Sequence, residues 1–241
     1  MEFELDAAGH PQPRQHTLTP MVTGSSVLAL VYDGGVALAT DRLGSYGRTL
    51  KFKNTCRQYR VNENVVIAFS GDFADFQWIQ NVVERVEADA RTYYKDSRMT
   101  AKGLHNYLSS LLYYRRSKMN PVWTTLVVVG MQPEPTYDNL VPFIGVIDQR
   151  GVAFETKAIA TGLGQYMLTE TLQKDSRARE YKLSKDEALD LLRKCLKVMT
   201  HRDCGAIGEY DLTTVDAKGT DLMKPEKNLG DWDIAEYSCH F

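Results

Sequence analysis

Apolar residues fall along this chain in short blocks with two different periods. Ser26–Tyr32 and Val36–Asp41 are β-rich runs on either side of Asp33-Gly34-Gly35, which predicts a hairpin. Gly44 and Gly47 mark a turn, Phe52–Val61 reads as a further strand, and the continuous run Val65–Phe69 predicts a buried strand stopped by Ser70-Gly71. The period then changes. Phe76, Ile79, Val82, Val83 and Val86 recur at helical spacing, and Thr100 is placed to cap a second helix with Leu104, Tyr107, Leu108, Leu111 and Leu112 on one face, ending before Pro121. Strands return at Trp123–Gly130, then at Leu140–Ile147 and Val152–Ile159 as a hairpin around Asp148–Gly151. Gln165–Leu172 predicts a third helix. Ser184-Lys185-Asp186-Glu187 has the form of a capping box opening a fourth, which carries Leu189, Leu191, Leu192, Cys195, Leu196 and Met199. A last hairpin, Glu209–Val215 and Thr220–Met223, turns at Ala217-Lys218-Gly219 and is stopped by Pro225. The order is strands, helix pair, strands, helix pair, strands. That order fits two antiparallel sheets sandwiched between two helix layers, an α+β architecture, and not a parallel doubly wound sheet.

Composition narrows the function classes. The 241 residues carry a net charge of −2, which argues against a nucleic-acid binder. Arg115, Arg116 and Lys118 read as a solvated helix end. Cys56, Cys195, Cys204 and Cys239 form no Cys-x-x-Cys pair and are expected to be free, mostly buried thiols. The five histidines have no metal spacing, so no metal and no cofactor are expected. No apolar run approaches the ~20 residues of a membrane span, and Gly162-Leu163-Gly164 reads as a turn, not a dinucleotide loop. Met1–His16 is polar with two prolines and reads as a loose extension.

Several blocks resemble proteasome β subunits. They are Gly24-Ser25 before a strand, Gly35-Val36, Ala39-Thr40-Asp41, Ser70-Gly71-Asp72-Phe73-Ala74-Asp75 and His201-Arg202-Asp203, covering about Thr19 to Met223. Thr19–Gly24, Leu43–Gly47, Arg115–Pro121 and Asn228–Glu236 narrow the resemblance to one non-catalytic position in the ring. The resemblance implies the four-layer αββα sandwich of N-terminal-nucleophile hydrolases. It also implies a chemistry in which the first residue of the mature chain is both nucleophile and amine base.

Carried over position by position, Ser25 stands where the family has its catalytic threonine, and Asp41 matches the aspartate that pairs with the family's lysine. Arg57 occupies that lysine's position, and a guanidinium does not exchange protons near neutrality. Leu163 stands where active subunits have a serine that bonds the nucleophile's amine, placing apolar bulk there. Asp203 matches a second aspartate, and Ala206 stands where the last serine of the network belongs. No catalytic residue is therefore expected, and the Asp41–Arg57 pair is expected to be structural. Residues 1–16 are expected to be a trimmed pro-extension cut near His16–Thr17, 17–24 a retained pre-sequence, 25–225 the β-subunit domain and 226–241 a partner-binding tail. The tail's anchors are Trp232, Ile234, Tyr237 and Phe241. The resemblance implies a structural and assembly subunit of the 20S core, cytoplasmic and nuclear. Its partners would be the other β subunits, the α ring and, through the tail, the opposite β ring, with no nucleic acid and no membrane. The competing readings are an active serine-type N-terminal-nucleophile peptidase and a free-standing relative with a binding role.

Overall fold

The computed structural model describes residues 4–5, 11–12, 19–93, 98–134, 139–228 and 230. Two short strands, β1 (Glu4–Leu5) and β2 (Pro11–Gln12), pair antiparallel. The main body opens with β3 (Val22–Gly24), followed by β4 (Val27–Tyr32), β5 (Gly35–Asp41), β6 (Leu43–Tyr46), β7 (Thr49–Lys53), β8 (Gln58–Asn62) and β9 (Val65–Asp72). Helices α1 (Phe73–Tyr93) and α2 (Ala101–Ser117) come next, then β10 (Thr124–Pro133), β11 (Leu140–Ile147), β12 (Ala153–Glu155) and β13 (Ala158–Ala160). Helices α3 (Gly164–Ala178) and α4 (Lys185–Arg202) precede β14 (Glu209–Asp216), β15 (Gly219–Leu222) and β16 (Glu226–Lys227).

The strands divide into two larger sheets. One runs β12-β11-β10-β9-β3-β6-β7, with β8 also on β9; the other runs β13-β4-β5-β14-β15, with β16 also on β14. Side chains alternate across each strand, so each sheet has two apolar faces to cover. Val27, Ala29 and Leu38 of the smaller sheet meet Ala68, Val127 and Val129 of the larger one between the sheets. On the outer face of the larger sheet, Ile67, Phe69, Leu126 and Val128 pack on Phe76, Ile79, Leu104 and Leu108 of α1 and α2. On the outer face of the smaller sheet, Leu28, Leu30 and Ala39 pack on Leu168, Leu192 and Leu196 of α3 and α4. This is the αββα sandwich. Because β4, β5 and β9 are buried on both faces, they read in sequence as unbroken apolar runs.

Local end signals form as expected. Thr100 Oγ1 accepts from Gly103 N at 3.1 Å, and Ser184 with Glu187 makes a complete capping box on α4. Five expectations need correction. Phe52–Val61 is two strands, because Asn54 adopts a left-handed φ of 74° and the chain dips inward at Arg57. The β9 strand does not stop at Ser70-Gly71 but continues to Asp72, where the carboxylate caps α1 by accepting from Asp75 N at 3.1 Å. Val152–Ile159 is not one hairpin arm: β12 pairs with β11, and after Thr156-Lys157 β13 crosses to pair with β4 in the other sheet. Pro225 does not end the strands, since β16 still pairs with β14, held by Arg193 gripping Glu226 at 2.9 and 2.8 Å. Arg115 is not simply solvated; its guanidinium stacks 4.6 Å from the Trp78 ring centroid and its Nε donates to Asn120 O at 3.0 Å.

Candidate active site

The edge of β9 is shared by two strands laid end to end. β8 pairs with Val65–Ala68 and β3 pairs with Gly71 and Asp72, which leaves a gap at Phe69. Arg57, just before β8, fills that gap and is fully buried. Its Nε donates to Asp41 O at 3.0 Å, Nη1 to Ser25 O at 2.8 Å and Phe69 O at 3.0 Å, and Nη2 to Ser26 O at 2.8 Å and to the Asp41 carboxylate. A guanidinium has five N–H groups, so every donor is engaged. The cation thus stands in for a missing stretch of ladder. It ties together the start of β4, the end of β5 and the middle of β9.

Burial pushes the Asp41 carboxyl above its ordinary range, and the adjacent Arg57 guanidinium opposes that rise. Asp41 also accepts from Leu43 N at 3.3 Å. Arg57 and Asp41 form a buried ion pair.

Ser25 lies directly above. It follows Gly24, the last residue of β3, and β3 lies between β6 and β9. A Cβ at Gly24 would stand 2.5 Å from Arg57 Cδ, so glycine is required for the strand to pass over the arginine stem. Upstream, Met21 N donates to Asp72 Oδ1 at 3.1 Å, so one aspartate both caps α1 and tethers the segment before Ser25. The Ser25 hydroxyl donates to Asp203 Oδ2, and Asp203 Oδ1 accepts from Gly205 N at 2.8 Å. Asp203 is itself the C-cap residue of α4.

The other expected positions separate. Leu163 is 46% exposed on the wall of an open cleft of about 420 Å³ that Ser25, Ser45, Asp203 and Cys204 also line. It covers the cleft wall instead of packing into a closed pocket. Ala206 lies away from that cleft, partly buried against the α3–α4 core, and lines a small void of about 10 Å³ with Ser26 and Asp41. Among the described cysteines only Cys195 is buried; Cys56 and Cys204 are exposed, which corrects the expectation of mostly buried thiols. His16 and Thr17 lie outside the described residues, as do Trp232, Ile234, Tyr237, Phe241 and Cys239. No group of three or more metal-ligating side chains occurs among the described residues.

Ser26 and Thr161 are organising residues that the pattern of the sequence did not single out for this role. Ser26 Oγ accepts from Gly164 N at 2.8 Å and so caps α3 from a distant strand, a service its own N-cap residue, Leu163, has no side-chain oxygen to perform. Thr161 Oγ1 accepts from Val27 N at 3.0 Å. The only signal was a run of small polar residues beside the nucleophile position.

Comparison with known proteins agrees with this architecture. Residues 21–215 match the sequence profile of the family described as proteasome subunit. The chain is 40% identical over 229 residues to proteasome subunit beta type-4 of Xenopus laevis, covering 95% of this chain and 92% of that protein. It is 33% identical over 225 residues to a probable proteasome subunit beta type-7 of Schizosaccharomyces pombe, covering 93% and 84%. It is 32% identical over 223 residues to proteasome subunit beta type-4 of Arabidopsis thaliana, covering 92% and 87%. With most of its length matched to the family profile and folded as the αββα sandwich, this chain belongs to the proteasome subunit family.

Proposed function

We propose that this chain is a non-catalytic β subunit of the 20S proteasome core, with a structural and assembly role in ATP- and ubiquitin-dependent proteolysis in cytoplasm and nucleus. The observation that carries this reading is the state of Arg57. All five of its donors are spent on carbonyls and Asp41, and a guanidinium holds its protons at any physiological pH. The position beneath Ser25 therefore supplies structure and no proton exchange. General acid–base help is worth about 10²–10⁴-fold in rate. The reading also holds that the Gly24–Ser25 bond stays uncut in the assembled particle, in which case the Ser25 nitrogen is an amide and not a base. The partners follow from the reading: other β subunits, the α ring and the opposite β ring.

The competing reading, a serine-type N-terminal-nucleophile peptidase, draws support from the Ser25–Asp203 hydrogen bond and the open cleft beside it. It needs the Gly24–Ser25 bond cut and a base near the freed amine. Treating the assembled particle with an electrophilic peptide and mapping adducts by mass spectrometry tests the two. No adduct is expected at Ser25 under conditions that fully modify catalytic subunits of the same particle. An adduct on Ser25 Oγ would establish the competing reading.

A further inference from the structure

β16 is only two residues long, yet it and the residue after it are gripped at every position. Glu226 stands opposite Tyr210 of β14, and Lys227 stands opposite Glu209. Arg193 of α4 donates from Nε and Nη2 to the two carboxylate oxygens of Glu226, at 2.9 and 2.8 Å, a bidentate fork. Its Nη1 is steadied by Asp190 on the same helix at 3.0 Å. The Tyr210 hydroxyl donates to Glu226 Oε2 at 3.0 Å, and Lys227 pairs with Glu209 at 3.2 Å. Asn228 N then donates to Gly208 O at 2.6 Å. A Cβ at Gly208 would stand 2.2 Å from Asn228 O, so the two backbones meet there.

Stability alone does not account for this grip. The Arg193 and Glu226 side chains are 37% and 32% exposed, and ion pairs open to water add little to the folding free energy. What the grip fixes is the place from which the chain leaves the sheet. Trp232, the first aromatic of the tail, follows Asn228 by four residues. With β16 released, the next hold upstream is Met223 N on Leu212 O at 3.0 Å, nine residues before Trp232. Effective concentration at a second site falls roughly as the −3/2 power of the free length, so release lowers it about threefold.

We propose that Arg193 is a positioning residue for the docking of the C-terminal tail. Acting through Glu226, it sets the tail's exit and thereby the rate at which two half-particles join. This rests on the reading that the tail binds the opposite β ring.

The test follows joining over time on native gels, with the full chain incorporated in half-particles. Arg193→Ala and Glu226→Ala are each expected to slow joining about threefold with normal entry into half-particles. The double variant is expected to be no slower than either. In a chain ending at Asn228, adding Arg193→Ala is expected to change nothing further, because the segment it positions is gone. Joining of Arg193→Ala at the parental rate overturns the proposal. So does a further loss in the double variant, or further slowing of the shortened chain by Arg193→Ala, since either places the effect outside the tail. Poor entry of Arg193→Ala into half-particles also overturns it, as that is the mark of a structural role. If the shortened chain joins normally, the tail reading falls and the proposal with it. A parental chain that enters no half-particle contradicts the proteasome-subunit reading itself.

Discussion

Replacing Arg57 by alanine leaves the Asp41 carboxylate and four carbonyl oxygens without their donors in a buried gap. Breaking one side of such a pair costs about 3–5 kcal/mol, and the midpoint of urea unfolding should fall accordingly. Arg57→Lys should also destabilise, because an ammonium has three donors for five acceptors and unmet buried acceptors cost about 1–3 kcal/mol. Ser25→Thr combined with Arg57→Lys is expected to yield no peptidase activity, since Leu163 and Ala206 still offer no side-chain hydrogen bond to a freed amine. Covalent reaction of that double variant at residue 25 with an electrophilic peptide would contradict this. The thiols give a separate test. Burial pushes the Cys195 thiol up to about 12, above the ordinary ~8.5. The folded state therefore holds its proton more tightly than the unfolded state. The stability this contributes is fully present below about pH 8.5 and is lost as pH rises toward 12. At pH 8 iodoacetamide should modify the exposed Cys204 and spare Cys195; equal labelling rates, mapped by mass spectrometry, would refute that.

At the scale of elements, Ser184→Ala removes the capping box of α4 and should cost about 1 kcal/mol, measured as a loss of thermal stability. Asp72→Ala should cost more, because the side chain caps α1 and also accepts from Met21 N. The starts of α2 and α4 were legible because their determinants lie within three residues of one another, as in Thr100 to Gly103 and Ser184 to Glu187, whereas the Asp72 cap of α1 was not read from the sequence. The layer order was legible too, since the alternation of strand pairs and helix pairs leaves few ways to bury every apolar face. What escaped was non-local. Nothing near Thr156-Lys157 announces that β13 leaves β12's sheet; the choice is made by the edge that β4 offers. The break between β7 and β8 is set by acceptors on Ser25, Ser26, Asp41 and Phe69, none of them adjacent to Arg57 in sequence. Arg115 looked solvated because Trp78, its stacking partner, lies on another helix. Of the site, the Asp41–Arg57 pair was readable from the resemblance, whereas the capping of α3 by Ser26 was not.

At the scale of the whole molecule, the central claim is that Ser25 sits in a framework built to hold the chain, not to cut one. Gly24 is threaded over Arg57, β3 is fixed in the larger sheet, and Asp72 anchors the segment before it. The C-terminal tail belongs to the same account. On the proposal that the tail carrying Trp232, Ile234, Tyr237 and Phe241 binds the opposite ring, ordering such a segment on a partner costs about 2–5 kcal/mol. Each buried aromatic anchor can return about 2 kcal/mol. Deleting Leu229–Phe241 should leave the fold intact, since β16 and its Arg193 grip lie before the cut, yet slow the joining of two half-particles on native gels. A normal joining rate would count against the tail's role. The most direct measurement of the central claim is the N-terminal residue of this chain inside the assembled particle. The account expects a chain beginning near Thr17 with the Gly24–Ser25 bond intact; a chain beginning at Ser25 would contradict it.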